Sequence, residues 1–332
     1  MTIETPVESG SIKISNFDRA LEEIKRGQLG LNEGLPHGIP GLNDYVPNVQ
    51  QKSYYLLGAS TGCGKTSLAD SMFIYSPYDA FKTGDTTYDL DITLYSFEID
   101  IISKIIKGIC YKIYKDFNII VDVNYILSRG KNRISKEIYD KVMLYREYYD
   151  QLSDKVTIFD SSINPTGIYK YLEAKAEKLG KIEYKYITTK NDRDEIVKIK
   201  VFDKYTPNNP QLIKIFIIDH IALTKGEKGL TNTKSIIDTM SEYSIKLRNN
   251  YYYSPVIVQQ LSYEINDPIR ARLNRLSPML SDFGDSKYTT RDADFVFSLY
   301  SPMTHGQEFY MGYDIRLLGD RFRAVEILKQ IF

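Results

Sequence analysis

The sequence predicts an α/β fold: a mostly parallel central sheet flanked by helices. Three stretches carry that prediction. Tyr54-Tyr55-Leu56-Leu57 is an apolar run that leads into the glycine-rich Gly58-Ala59-Ser60-Thr61-Gly62-Cys63-Gly64-Lys65-Thr66 and then into Ser67–Phe73, which can be helical. Leu212-Ile213-Lys214-Ile215-Phe216-Ile217-Ile218 is almost continuously apolar and ends in Asp219, the pattern of a strand covered on both faces in a parallel sheet. Ile92–Phe97 is a third such run and ends on Glu98. Ligands of open α/β sheets sit at the carboxyl edge of the strands, and each of these runs delivers a polar group there.

The glycine-rich stretch is organised as a phosphate loop, G-x-x-x-x-G-K-[ST]. Counting back from Gly64, its first position falls on Ala59 rather than Gly58, so a relaxed form runs from Ala59 to Thr66. Gly62 and Gly64 allow the backbone to curl its N–H groups inward on phosphate oxygens. The helix that follows turns its positive N-terminus to the same anion. Ala59, Ser60, Thr61, Gly62, Cys63, Gly64, Lys65, Thr66 and Ser67 are the candidate nucleotide-binding residues, with Lys65 on the β- and γ-phosphates and Thr66 on Mg²⁺.

Composition narrows the class. The 332 residues carry 43 Lys and Arg against 43 Asp and Glu, so a polyanion has to be met by local basic loops and not by a global field. No apolar run approaches the ~20 residues of a membrane span. The first residues lack the basic and apolar regions of a signal peptide. Cys63 and Cys110 are the only cysteines, too few for a disulfide or zinc framework, which fits a reducing, cytoplasmic setting. With 28 Tyr and no Trp, the composition reads as that of an AT-rich genome, which weakens single aromatics as base-stacking candidates.

Along the chain, residues 1–48 read as an N-terminal arm. Phe17, Leu21 and Ile24 share one face of a helix, capped by Ser15 or Asn16; its packing on its own core or on a neighbouring subunit is open. Residues 49–332 form the main domain. Glu98 either activates the water that attacks the γ-phosphate or caps the helix beginning at Ile99. The 99–150 region is helical, broken at Ser128-Arg129-Gly130, with a helix start at Ser135. Val156–Asp160 is a short strand and Pro165–Leu179 a helix. Two runs, Ile182–Ile187 and Ile196–Val201, with Asn191-Asp192-Arg193-Asp194 between them, form a β-hairpin insertion over about 181–204. Its lysines are a solvated face or a contact for nucleic acid or a partner. Asp219 stands where it can hold Mg²⁺. A helix runs to about Arg248, and Pro255–Val258 brings Gln259 and Gln260 to the same edge, where Gln260 either senses the γ-phosphate or satisfies backbone groups. Lys225 and Lys228 lie in a mildly basic loop. Arg270, Arg272 and Lys287 flank Pro278–Ser286, which is either a nucleic-acid backbone contact or a solvated loop. Phe295–Tyr300 and Arg323–Leu328 are further strands.

In order, these motifs resemble those of the DnaB-type (superfamily four) RecA-like ring helicases, over roughly residues 34–330. Gly34–Leu42 looks like the family's opening segment, and Ala59–Thr66 its phosphate loop. Ser96-Phe97-Glu98-Ile99 resembles the Ser-Leu-Glu-Met segment of the catalytic Glu, Ile218-Asp219-His220 resembles Ile-Asp-Tyr, and Gln260-Leu261-Ser262 resembles the sensor motif. Pro278-Met279-Leu280-Ser281-Asp282-Phe283-Gly284-Asp285-Ser286, then Asp292-Ala293-Asp294, is the most specific match.

The resemblance implies a RecA-like core, ATP and Mg²⁺ as cofactors, and hydrolysis coupled to movement on single-stranded DNA by a homo-oligomeric, hexameric ring. It also implies a loader or primase as partner and, for a compact divergent member, a phage-type protein working in its host's cytoplasm. Glu98, Lys65, Gln260 and Lys329 are the implied catalytic residues, and Thr66 and Asp219 the implied metal ligands. Two departures stand out. Gly284 replaces an Arg, and Ile331 stands where the family has the Arg that reaches the neighbouring site, leaving Lys329 and, as substitutes, Arg321 or Arg323. A RecA-like recombinase or KaiC-like ATPase, which shares the core, is one rival reading; an arginine finger is worth roughly 10³–10⁵ in rate, so Ile331 leaves a weakly hydrolysing nucleotide-binding partner as the other.

Overall fold

The computed structural model describes residues 16–190, 194–272, 275–284 and 286–331. Its strands are β1 (Tyr55–Ala59), β2 (Asp89–Ser96), β3 (Val156–Phe159), β4 (Gly180–Lys190), β5 (Ile196–Pro207), β6 (Leu212–Asp219), β7 (Tyr253–Gln260), β8 (Phe295–Tyr300), β9 (Phe309–Tyr310), β10 (Tyr313–Asp314) and β11 (Ala324–Gln330). Seven of them form one sheet in the order β11-β8-β1-β7-β6-β2-β3. All neighbours are parallel except β11, which runs antiparallel to β8. The apolar run 212–218 becomes β6, buried along its whole length between β7 and β2.

The period of two along each strand sorts the core into two layers. Tyr55, Leu57, Ile213, Ile215 and Ile217 pack on one face with Ala69, Met72, Phe73 and Leu152. Leu56, Phe216 and Ile218 pack on the other with Ile168, Leu172, Ile237 and Leu247. The helix after β1 is helical from Lys65 to Thr83, with a π turn at Ser71–Tyr75 just before Pro77. Pro77 has no N–H to donate and its ring crowds the preceding turn, and the wider turn relieves both. Ser135 caps its helix as expected, accepting from Ile138 N at 3.3 Å, and Pro165–Leu179 is helical at the expected bounds.

The arm helix spans Asn16–Gln28, so Asn16 lies inside it, and Ser15 lies outside the described residues. Among the described residues its apolar face is left open: Phe17 is 71 % and Ile24 58 % exposed. Further on, Leu35 pairs with Val49, and Leu42 and Val46 join the main core. The hairpin is longer than its apolar runs. β4 and β5 pair antiparallel from Gly180↔Pro207 to Lys190↔Ile196, in a two-stranded sheet of their own. Asn191, Asp192 and Arg193 of its turn lie outside the described residues. Phe202 and Tyr205 anchor its base edge-on against Tyr251.

Lys214, the one charge inside the apolar run 212–218, is 1 % exposed. Its Nζ donates to Tyr205 Oη at 2.9 Å and lies 4.2 Å from the Tyr205 ring centroid. Burial lowers its pKa from 10.5 to about 7, with Asp91 opposing. Between those values the unfolded chain holds a proton that the folded protein has shed, so stability rises with pH across that window and the penalty is full below it. The effect is on the order of 5 kcal/mol. In Lys214→Met, melting temperature followed from about pH 6 to pH 10 is expected to lose most of this rise. An unchanged slope would remove Lys214 as its source.

Candidate active site

β1 passes directly into the phosphate loop. Gly62 and Gly64 adopt φ of 79° and 100°. A Cβ on Gly62 would meet nothing within 4 Å, so the left-handed backbone and not crowding calls for glycine there. Two contacts hold the loop from behind. Arg323 Nε donates to Cys63 O at 2.9 Å, and Leu261 N donates to Ala59 O at 3.1 Å. Burial pushes the Cys63 thiol up from its ordinary range, which keeps it an inert, protonated packing group. The helix starts at Lys65, with Lys65 and Thr66 both buried.

The register of the sheet gathers the other candidates. Ala59 pairs with Gln260, and Ser96 with Asp219, which also pairs with Val258. Val256 and Val258 face the layer of the phosphate-loop helix, and alternation puts Gln260 on that side too. Gln259 points the opposite way, buried, and accepts from Thr289 Oγ1 at 3.0 Å.

Glu98 lies two residues past β2, with its Oε2 3.6 Å from Lys65 Nζ. Its turn is fixed at both ends: Ser96 Oγ donates to Ile99 O at 2.6 Å, and Ile101 N donates to Asp160 Oδ2 at 3.2 Å. The next helix, Ile101–Phe117, is capped by Asp100, which accepts from Ser103 N at 2.9 Å. Capping is therefore done by Asp100, and Glu98 remains half-exposed toward Lys65.

Asp219 is wholly buried. Its Oδ2 faces Lys104 Nζ at 3.4 Å, and its Oδ1 has no hydrogen-bond partner among the described residues. An unpartnered buried carboxylate oxygen at the carboxyl edge of β6 suits Mg²⁺, a hard cation that takes oxygen ligands. Lys104 also meets Asp70 of the phosphate-loop helix at 2.9 Å. Burial alone would lower the Lys104 pKa, but Asp70 and Asp219 outweigh it and raise it above its ordinary value. The sequence reading missed Lys104. The available signal was its spacing with Gly108 and Lys112, all buried on one face of the helix.

Two expected residues have partners within the chain, away from the phosphate loop. Lys329 pairs with Val296 near the start of β8, whereas Ala59 pairs with Leu299 near its end, so Lys329 lies at the sheet edge away from this chain's phosphate loop. Its ammonium donates to Thr290 O, Arg291 O and Ala293 O at 3.0, 2.7 and 2.7 Å. Arg270 is a correction to the basic-loop reading. Its Nη1 lies 2.6 Å from buried Asp282, and the guanidinium also donates to Arg275 O and Ser277 O. With those donors used inside the loop, Arg270 shapes the 275–282 segment instead of presenting charge to a polyanion. Lys225, Lys228, Arg272 and Lys287 are exposed. Asp285 lies outside the described residues.

A parallel sheet with this order, and a phosphate loop leaving β1 in its middle, define a RecA-like P-loop nucleotide-binding fold. Solved structures narrow the likeness. The chain is similar to a DnaB-like replicative helicase described with its interactions with primase, at a TM-score of 0.65 and 18% identity, over 97% of this chain and 63% of that one. It is likewise similar to the ATPase domain of G40P, at a TM-score of 0.64 and 18% identity, over 98% of this chain and 92% of that domain. The fold is thus that of DnaB-like helicase ATPase domains, and the chain spans less than two thirds of the DnaB-like helicase it matches. No protein-family profile and no curated protein sequence matches the chain.

Proposed function

We propose that this chain is the ATP-hydrolysing motor of a DNA helicase, moving on single-stranded DNA during replication. The observation that carries the reading is the gathering of Lys65, Glu98, Asp219 and Gln260 at one edge of a sheet with the fold of DnaB-like ATPase domains. Lys65 and the loop N–H groups hold the triphosphate. Thr66 and Asp219 hold Mg²⁺, which when bound neutralises charge on the β- and γ-phosphates. Glu98 orients and deprotonates the attacking water, and Gln260 senses the γ-phosphate.

A homo-oligomeric ring is part of the proposal. It is supported by the exposed apolar face of the arm helix, which suits a second copy. Lys225, Lys228, Arg272 and Lys287 are the proposed contacts for DNA. A primase is the proposed partner, by analogy with the DnaB-like helicase described with one, and a loader is a second. Among the described residues no helix is long and apolar enough to cross a membrane, in keeping with a protein proposed to work in the cytoplasm.

One observation favours a second reading, a weakly hydrolysing nucleotide-binding partner. Arg323 is committed to its own loop and Lys329 to its own carbonyls, and Ile331 stands where the resemblance expects an Arg, which leaves exposed Arg321 as the remaining candidate for a neighbour's site. Strand displacement from a forked duplex separates the two. The helicase reading expects displacement that requires both ATP and Mg²⁺ and weakens as salt rises. Nucleotide binding without displacement at any salt would leave the second reading.

A further inference from the structure

Lys104 is a buried cation to which the roles above give no part. It sits in the first turn of the Ile101–Phe117 helix, 3 % exposed, with Nζ 2.9 Å from Asp70 Oδ1 and 3.4 Å from Asp219 Oδ2. The side chains of Asp70 and Asp219 are 7 % and 1 % exposed. Three elements therefore meet on one ammonium: the phosphate-loop helix through Asp70, the end of β6 through Asp219, and the helix behind Glu98 through Lys104 itself. Two carboxylates this buried repel each other without a cation between them. Asp219 spends Oδ2 on Lys104 and, among the described residues, keeps Oδ1 unpartnered.

We infer that Lys104 is a positioning residue for ATP hydrolysis: it anchors Asp219 by one oxygen, leaving the other for Mg²⁺, and ties the Glu98 turn to the phosphate loop. The inference rests on the function proposed above. It explains a lysine at a helix position where an apolar residue would pack more easily. Partners standing behind metal ligands typically carry 10–100-fold in metal affinity or activity, and that is the size expected here.

The test uses two variants, because Lys104→Met alone leaves Asp70 facing Asp219 uncompensated and is the one at risk of not folding. Lys104→Met/Asp70→Asn removes one charge of each sign. Mg²⁺ is titrated against binding of a fluorescent ATP analogue and, separately, against hydrolysis. The double variant is expected to need roughly tenfold more Mg²⁺ in both titrations and to lose roughly tenfold or more in kcat. KM for ATP at saturating Mg²⁺ is expected to change little, because the phosphate loop is untouched. Lys104→Arg is expected to recover much of the Mg²⁺ response, since it keeps the charge. A double variant with wild-type Mg²⁺ dependence and wild-type kcat overturns the inference, and so does an equal loss in every parameter with no recovery by Arg. If the wild-type protein itself binds the analogue without regard to Mg²⁺, the reading of the site fails, and the inference falls with it.

Discussion

The Glu98→Gln protein is expected to bind ATP at least as tightly as wild type and to turn it over roughly 10²–10⁴ times more slowly. Gln keeps the shape and a hydrogen bond for the water but cannot accept its proton. Binding is preserved because Glu98 lies outside the phosphate loop and, among the described residues, meets it through an ion pair with Lys65 at 3.6 Å. That pair is half-exposed on the Glu98 side and worth at most about 1 kcal/mol. Its removal leaves Lys65 freer for the triphosphate, so affinity is expected to hold or rise by less than about tenfold. Single-turnover hydrolysis beside equilibrium nucleotide binding checks both halves. Full turnover in this variant would remove Glu98 as the base and direct attention to a water held by Gln260.

Lys65→Ala is expected to fail at the earlier step. Lys65 is the buried cation at the start of the phosphate-loop helix, and a charge-assisted contact to phosphate is worth about 1.5–3 kcal/mol. Nucleotide affinity is therefore expected to fall roughly 10–100-fold, with hydrolysis below detection even at saturating ATP. The two variants thus differ in kind: one binds without turnover, the other loses both. Calorimetric titration with a non-hydrolysable analogue distinguishes them. Unchanged affinity in Lys65→Ala would place the triphosphate somewhere other than Ala59–Thr66.

Much of this arrangement is legible in the chain because its chemistry sits at the ends of apolar runs. Asp219 directly follows seven strand residues and Glu98 comes two after β2, so local pattern placed both at the carboxyl edge before any pairing was known. Pro165 and Ser135 mark helix starts by their own backbone chemistry, and both helices begin there. The resemblance supplied the roles that spacing left open at Glu98 and Gln260. What remained hidden is long-range. Nothing near Lys104 announces Asp219, 115 residues away, and hydrophobic periodicity favours Ile102, which is 67 % exposed. Arg270 looked like a free charge because Asp282 is separated from it by a loop whose fold its own side chain determines. Arg323 finds Cys63 only because β11 returns antiparallel beside β8 at the phosphate-loop edge. Spacing alone leaves Gln259 and Gln260 equivalent; the resemblance singles out Gln260, and the alternation of β7 turns Gln260 and not Gln259 to the phosphate-loop side.

The measurement that bears most directly on the proposed motor is the steady-state rate of ATP hydrolysis with Mg²⁺, with and without single-stranded DNA, on wild type and Glu98→Gln side by side. The account predicts a rate that rises when DNA is added to wild type, falls back as salt screens the backbone contacts, and is lower by roughly 10²–10⁴-fold in Glu98→Gln under both conditions. A wild-type rate that DNA leaves unchanged at every salt concentration, or a Glu98→Gln rate equal to it, would contradict the account.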